Sequence, residues 1–370
     1  MRYYIIAGEA SGDLHASKLM RGLKACDPQC DFRYWGGDAM AAEGGTLVRH
    51  YRDTAVMGVV EVLAKAPKLL RNISFCKRDI LAYKPDALIL VDYPGFNLRI
   101  AGFARRHGIK VLYYIAPKVW AHKERRVEKL RRDVDVLYCI FPFELEWFRS
   151  RGIEPRYFGN PLLDSLGQWQ ESPLEKCPRI ALLPGSRQAE LKFLMPRFAR
   201  LEKMLAADPR FAGYRLTVAA APSMREDDIK RYLPADSKME IVKGRTYDVL
   251  ASSEAAVISS GTASLEAALI GVPQVVCYGV NPLTYAIVWP TLKIPYVSLA
   301  NLSLGRLIFP ELIQKDAEPE KIFAEIEKIL ADGRTAGRMK EDYQQLRTVM
   351  GGAGASLRTA KDMYEKLAHI

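Results

Sequence analysis

Three polar segments stand directly after runs of apolar residues. They are Asp92, Arg187 with the Pro-Gly-Ser turn before it, and Ser259-Ser260-Gly261-Thr262. A short apolar run that ends in Gly, Pro or a polar residue predicts a buried strand followed by a turn. We therefore expect these side chains at the carboxyl ends of strands, where open α/β sheets bind their ligands.

Asp92 is a candidate general base. It follows Ala87–Val91, and a carboxylate at a strand's end can deprotonate a sugar hydroxyl. The turn continues through Gly95 to Asn97, which we expect to cap the next helix. The alternative is that Asp92 only caps the turn.

Arg187 is a candidate ligand for a diphosphate. Gly185 and Ser186 let the backbone turn close to a bound group, and the guanidinium offers a planar fork that lysine lacks. The alternative is a structural ion pair between Arg187 and Glu190.

The segment Ser259–Pro273 predicts a turn that opens a helix. Ser260 or Thr262 can cap it, and Gly271 can end it. A helix start without bulky side chains favours phosphate, because free N–H groups and the helix dipole point at it. Glu266, one turn inside, can accept hydrogen bonds from a ribose diol. An ordinary strand–turn–helix unit is the alternative.

Several site types are excluded by motif. The chain has no Walker loop, and no Gly-x-Gly-x-x-Gly fingerprint follows its first strand. No Asp-x-Asp pair in it suits a divalent cation that bridges a diphosphate, and its six cysteines show no zinc-ligand spacing. We expect neither a metal nor a cofactor, so arginine, backbone N–H groups and helix dipoles must neutralise a bound diphosphate.

Strand patterns alternate with helical patterns in two successive series along the 370 residues, one before and one after the predicted linker. This order predicts two doubly wound α/β domains that face a cleft, joined by a linker over 165–178. The predicted strands are Tyr3–Ala7, Phe32–Trp35, Ala87–Val91, Val111–Ile115, Val134–Ile140, Ile180–Leu183, Arg215–Ala219, Glu240–Val242, Ala255–Ile258 and Gln274–Cys277. The predicted helices include His15–Cys26, Glu190–Ala207 and those after Pro319.

The net charge of +11 is uneven. Residues 1–165 hold 27 Lys+Arg against 19 Asp+Glu, and residues 166–370 hold 27 against 24. Nucleic acid, anionic lipid or a phosphorylated substrate can each account for the basic first half, as can a solvated helix face. The apolar stretch 267–292 contains too many Pro and Gly residues for a spanning helix.

Together these motifs resemble the lipid-A-disaccharide synthase family over nearly the whole chain. The matching segments are Gly8–Asp13, Val91–Asn97, Pro117–Trp120, Phe141–Glu144, Gly159–Pro161, Leu183–Arg187, Ser260–Glu266, Asn301–Arg306 and Pro310–Leu312. The resemblance implies two Rossmann-like domains in the GT-B arrangement. It also implies a metal-independent inverting glycosyltransferase that joins UDP-2,3-diacylglucosamine to 2,3-diacylglucosamine 1-phosphate. The products would be the β(1→6) lipid A disaccharide 1-phosphate and UDP.

The resemblance also implies roles for single residues. Asp92 would be the base; the UDP-sugar motifs hold Arg187, Ser260, Gly261, Thr262, Glu266 and Asn301. Glu9, Ser11, Asp13 and Asn97 should lie at the cleft without an assigned step. Gly95 and His122 depart from the family's Asp and aromatic residue, which leaves acceptor details open.

The implied organisation has three parts. Residues 1–165 form the acceptor and membrane domain, 175–345 the UDP-sugar domain, and 346–370 a helix that packs back on the first domain. Two other hypotheses stay open, a UDP-N-acetylglucosamine 2-epimerase of the same fold and a non-enzymatic basic membrane-surface protein.

Both lipid substrates reside in a bilayer, so we expect a cytoplasmic protein attached to the inner face of the inner membrane. Val62, Leu63 and Leu69 lie among basic residues and predict an apolar patch that meets anionic lipid; core packing is the alternative. We expect no nucleic-acid partner, and a homodimer stays open.

Overall fold

The chain forms two compact units, Met1–Asp164 with Met350–Ile370, and Ser165–Val349. The computed structural model describes residues 1–54, 66–121, 123–172, 174–222, 224–281, 285, 289, 294–331 and 333–368. Val62, Leu63 and His122 lie outside the described residues. The predicted linker 165–178 begins inside a helix, Leu162–Gln168, because Leu162, Leu163 and Leu166 give this segment an apolar helical face.

The first unit contains one parallel sheet. Its described strands are β1 (Arg2–Ala7), β2 (Asp31–Gly36), β3 (Thr46–His50), β4 (Ala87–Val91), β5 (Lys110–Tyr114), β6 (Val136–Cys139) and β7 (Arg156–Tyr157). Their order in the sheet is β3-β2-β1-β4-β5-β6-β7. The order reverses between β1 and β4, so the turns after these two strands flank the topological switch point where such sheets bind ligands.

Helices cover both faces of this sheet. They are α1 (Ala10–Cys26), α2 (Asp38–Ala42), α3 (Tyr51–Thr54), α4 (Ala66–Tyr83), α5 (Pro94–Arg106), α6 (Val127–Asp133) and α7 (Phe143–Arg149). The next helix, α8 (Leu162–Gln168), begins in the first unit and ends in the second. Successive strand residues enter opposite core clusters: Tyr4 and Ile6 on one side, Tyr3 and Ile5 on the other. All five residues of β4 are buried, as expected for a parallel strand covered on both faces.

The second unit contains another parallel sheet. Its described strands are β8 (Arg179–Leu183), β9 (Arg215–Ala220), β10 (Glu240–Lys243), β11 (Ala255–Ser259), β12 (Gln274–Tyr278) and β13 (Glu311–Ile313), in the order β10-β9-β8-β11-β12-β13. The helices are α9 (Gln188–Ala207), α10 (Glu226–Lys230), α11 (Thr246–Ala251), α12 (Thr262–Ile270), α13 (Leu299–Leu304), α14 (Pro319–Ala331) and α15 (Arg334–Met350). Both sheets confirm the predicted doubly wound α/β class.

The last helix, α16 (Ala355–Ala368), packs against α1 in the first unit. Gly22 permits this approach, because a Cβ there would lie 2.7 Å from the Cβ of Ala360. At the start of α16, Asp164 accepts hydrogen bonds from the backbone N–H groups of Gly354, Ala355 and Ser356 at 2.5–3.0 Å. A buried carboxylate thus satisfies the free donors at this helix start.

Two local predictions need correction. Helix α1 begins at Ala10 rather than His15. Ser11 and Asp13 therefore lie in its first turn. Helix α5 begins at Pro94 with Tyr93 as its N-cap, so Asn97 lies inside the first turn. Proline suits this position because it lacks the N–H that would be unpaired there.

Among the residues that the structure describes, no helix is both long and apolar enough to cross a membrane.

Candidate active site

The turn after β4 carries Asp92. Val91 pairs with Ala7 of β1 and with Tyr114 of β5, so this turn lies between the ends of two neighbouring strands. Asp92 and Tyr93 both have left-handed backbones, with φ of +44° and +46°. Two consecutive non-glycine residues in this region are uncommon, and such strain persists only when surrounding contacts hold it.

Asn97 is one of those contacts. It is fully buried, and its Nδ2 donates to the carbonyl oxygens of Asp92 at 2.8 Å and Val91 at 3.3 Å. The side chain therefore satisfies backbone groups at the strand's end. Asn97 was predicted to lie in the site and to cap the next helix. Its side chain instead holds the backbone at the end of β4.

The Asp92 carboxyl group is half-buried among charged neighbours. Burial raises the pKa of Asp92 to about 6; the positive charge of Lys118 opposes the rise, and the negative charge of Glu9 adds to it. The backbone N–H of Tyr93 also favours the ionised form. A carboxyl group with a pKa near 6 is a suitable general base at neutral pH, because it is ionised yet still takes up protons.

The three other predicted residues after β1 lie in different surroundings. Glu9 is the exposed N-cap residue of α1, close enough to Asp92 for its charge to matter. Ser11 is exposed on the first turn. Asp13 is buried, and its carboxylate accepts hydrogen bonds from the N–H groups of Gly37, Ala39 and Met40 at 2.6–3.2 Å. Asp13 thus caps α2, a structural role that the motif alone does not reveal.

Glu144 is a buried carboxyl group that motif reasoning left without a role. It is 1% exposed and accepts hydrogen bonds from the Trp120 indole at 3.0 Å and from the N–H groups of Ile140 and Phe141 at 3.1 Å. It therefore ties the loop after β5, which carries Lys118, to the turn after β6. Burial raises the pKa of Glu144 to about 7, against the effect of these donors.

In the second unit, the turn after β8 carries Arg187. Glu190 Oε2 accepts the N–H groups of Ser186 at 2.8 Å and Arg187 at 3.1 Å, and its Oε1 pairs with the Arg187 guanidinium at 3.0 Å. The ion pair considered as the alternative role of Arg187 is therefore present. The Arg187 side chain is nevertheless 76% exposed, so its guanidinium can reach an added anion.

The turn after β11 opens α12. Its N-cap is Gly261, rather than Ser260 or Thr262, and Gly261 and Thr262 are exposed. Ser260 Oγ donates to the carbonyl of Val297 at 3.4 Å. The start of this helix is exposed, and the N–H groups of a first turn lack carbonyl partners within the helix, so the predicted binding of phosphate here remains compatible with the structure. Since β8 and β11 pair directly, this turn and the Arg187 turn follow neighbouring strands.

Glu266 lies one turn inside α12. Its Oε1 accepts the Tyr247 hydroxyl at 2.9 Å. Burial raises the pKa of Glu266, while the Tyr247 hydrogen bond lowers it. A carboxylate has lone pairs for several donors, so Glu266 retains the capacity to bind a diol.

Asn301 lies in a different setting from the other predicted UDP-sugar residues. It is fully buried; its Nδ2 donates to Glu311 at 2.7 Å and to the Phe309 carbonyl at 3.2 Å, and its Oδ1 accepts the Ile308 N–H at 2.9 Å. Glu311 in turn accepts the N–H groups of Val297 and Ser298. This geometry favours an indirect role, in which Asn301 holds the loop that contacts Ser260.

Solved structures with the same architecture define a class. A UDP-GlcNAc 2-epimerase from Neisseria meningitidis, bound to UDP-GlcNAc, matches with a TM-score of 0.71 at 12% identity, covering 100% of both chains. The calicheamicin glycosyltransferase CalG4 matches with a TM-score of 0.61 at 16% identity, over 100% of this chain and 98% of that one. At these identities the likeness shows the fold alone, which is the fold of GT-B glycosyltransferases and their epimerase relatives.

Sequence relatives identify the family within that class. The family model described as lipid-A-disaccharide synthetase matches residues 3–362. Lipid-A-disaccharide synthases from Myxococcus xanthus and Geobacter metallireducens are 36% and 37% identical, each covering 99% of this chain and 97% of the relative. The chain belongs to the lipid-A-disaccharide synthase family, which confirms the family predicted from its motifs and the prediction of a hexosyltransferase.

The Arg187 turn gives a first testable prediction. Gly185 has φ +98°, and a Cβ there would lie 2.1 Å from Glu190 Oε2. We expect Gly185→Ala to displace Glu190, lower the stability by about 1–3 kcal/mol and weaken UDP binding. Thermal unfolding and UDP calorimetry measure both effects. Gly213→Ala is the control, because a Cβ there meets nothing within 4 Å; equal behaviour of the two variants would contradict the role of this turn.

Proposed function

We propose that the chain joins UDP-2,3-diacylglucosamine to 2,3-diacylglucosamine 1-phosphate with inversion. The products are the β(1→6) lipid A disaccharide 1-phosphate and UDP. The observation that carries this proposal is the family match over residues 3–362, because it includes every turn described above. The fold alone does not distinguish this reaction from epimerisation, since epimerases are among the structural relatives.

In this mechanism Asp92 is the general base. It takes the proton from the acceptor's 6-hydroxyl as that oxygen attacks the anomeric carbon of the donor. The new C–O bond forms on the face opposite the breaking bond to the diphosphate, so the configuration inverts and UDP leaves. The raised pKa of Asp92 supports this role, as does its place beside the switch point of the first sheet.

The second unit binds the donor. The start of α12 and the exposed guanidinium of Arg187 stabilise the diphosphate as its charge grows, which is preorganised electrostatic stabilisation. Glu266 accepts hydrogen bonds from the ribose. The reaction needs no metal in this scheme, because these groups supply the positive potential.

The first unit binds the acceptor at an anionic membrane surface on the cytoplasmic side of the inner membrane. Of the predicted apolar patch, Leu69 is half-buried against the core of the first unit, which favours the core-packing alternative for this residue. Its neighbour Leu70 is 64% exposed between exposed Lys68 and Arg71. An exposed leucine flanked by cations suits the headgroup boundary. A homodimer remains a sequence-based prediction.

The base assignment predicts the effect of Asp92→Asn. Asparagine keeps the shape but cannot take up a proton, so we expect the turnover number to fall by about 10²–10⁴. UDP affinity should stay unchanged, because Asp92 lies outside the unit that binds the nucleotide. An assay with both lipid substrates measures UDP and disaccharide. A variant within about threefold of wild type, or a sugar epimer as the product, would overturn the proposal.

The pKa of Asp92 predicts the pH dependence. Because the folded-state pKa is raised from 3.8 to about 6, the base is ionised above pH 6 and protonated below it. We expect kcat/KM to be level above this pH and to fall about tenfold per pH unit below it. A profile that stays level down to about pH 4 would show that a base with an ordinary pKa acts instead.

The membrane proposal predicts the effect of Leu70→Glu. A buried leucine is worth about 1.5–3 kcal/mol, and the new charge repels anionic lipid, so binding should weaken at least about tenfold. Flotation with vesicles of phosphatidylglycerol and phosphatidylethanolamine measures it. Leu81→Glu makes the same change at a 42% exposed site on the other end of α4 and is the control. Equal flotation of the two variants would exclude Leu70 from the contact.

A further inference from the structure

Tyr113 makes an unusual contact with the turn that carries Asp92. It lies on β5 beside β4 and is fully buried in the apolar core of the first unit. Its hydroxyl donates to the backbone carbonyl of Asp92 at 2.5 Å. A phenylalanine would fill the same volume without burying a polar group. Burying the Tyr113 hydroxyl costs free energy unless it is hydrogen-bonded, and the hydrogen bond to the Asp92 carbonyl offsets that cost.

The Asp92 backbone is held at both of its polar groups. Its carbonyl oxygen accepts the Tyr113 hydroxyl and also Asn97 Nδ2 at 2.8 Å. Its N–H donates to the carbonyl of Tyr114 at 3.1 Å. Two donors occupy both lone pairs of the carbonyl, so the direction of the peptide group after Asp92 is fixed.

This fixation matters because the turn is strained. Asp92 and Tyr93 both adopt left-handed conformations, which non-glycine side chains disfavour unless other contacts compensate. Without the hydrogen bonds to its carbonyl, the turn would relax toward ordinary backbone angles. The Asp92 side chain leaves the same Cα, so a backbone rotation would move the carboxylate as well.

We propose that Tyr113 is a positioning residue for the reaction. Its hydroxyl, together with the Asn97 amide, holds the Asp92 turn in the left-handed conformation that presents the carboxylate to the acceptor hydroxyl. This inference rests on the proposed role of Asp92 as the base. Burial and the charge of Asp92 hold the pKa of Tyr113 well above its usual range, so the phenol stays a donor throughout the working pH range.

The test is Tyr113→Phe, which removes the hydroxyl alone. We expect kcat to fall about ten- to a hundredfold, because small displacements of a catalytic group have large effects on rate. The KM for the UDP-sugar and the affinity for UDP should stay unchanged. Tyr114→Phe is the matched control, since Tyr114 is the next residue on β5 and is buried in the opposite core cluster. If the two variants have equal kcat, the positioning role is wrong.

A double-mutant cycle separates this inference from the base assignment. If Tyr113 acts through Asp92, Tyr113→Phe should cause no further loss of rate in the Asp92→Asn background. A full additional loss there would show that Tyr113 acts independently and would overturn the inference. If Asp92→Asn itself stays near wild-type activity, the base assignment fails, whatever Tyr113→Phe does.

A second variant and a second measurement guard against a trivial loss of folding. Replacing Tyr113 with para-aminophenylalanine keeps a donor on the ring and should restore most of the rate. Hydrogen exchange followed by mass spectrometry, without substrate, should show faster exchange over residues 92–97 in Tyr113→Phe and not in Tyr114→Phe. Unchanged exchange in that segment would contradict a role in holding the turn.

Discussion

The burial of parallel strands on both faces is the constraint on which both units depend. All five residues of β4 are buried and apolar, because a charged side chain within such a strand is costly unless it is paired. The exposed polar side chains that are candidates for the reaction accordingly lie in the turns that follow the strands. The carboxyl ends of parallel strands lie at one edge of a sheet, so Glu9 and Asp92 come together in the first unit. Arg187 and Ser260 follow neighbouring strands in the second unit for the same reason.

Those turns must satisfy their own backbone groups, and buried polar side chains do so. Asp13 caps α2, Asn97 binds the carbonyls at the end of β4, and Glu144 ties together the turns after β5 and β6. In the second unit Asn301 and Glu311 hold the segment around Val297. Several motif residues therefore hold the backbone of these turns through buried hydrogen bonds. A family motif includes both the buried residues that support a turn and the exposed residues that the turn presents. The exposed fraction of each side chain distinguishes the two kinds.

The difference between buried and exposed motif residues explains which features of the structure could be predicted from the sequence. The strands were predictable because apolar runs such as Ala87–Val91 and Ala255–Ile258 admit few other structures. Asp92, Arg187 and Glu266 are candidate site residues because of their positions after such runs. The start of α1 was misplaced because Gly8, Ser11 and Asp13 are typical of a loop and of a helix start alike. The burial of Asn301 and the hydrogen bonds of Tyr113 depend on which strands become neighbours, and local sequence carries no such information.

Two carboxyl groups in the first unit have raised pKa values, so the pKa alone does not identify the base. Glu144, with a pKa near 7, is 1% exposed and bound by three donors. A proton acceptor must meet the substrate hydroxyl within hydrogen-bond distance, and Glu144 lies beneath the turns that it joins. Asp92 is half-buried at the edge of the sheet, with its backbone rather than its carboxylate held by Tyr113 and Asn97. This geometry supports the proposal that Asp92 transfers the proton, and it gives Glu144 a structural contact.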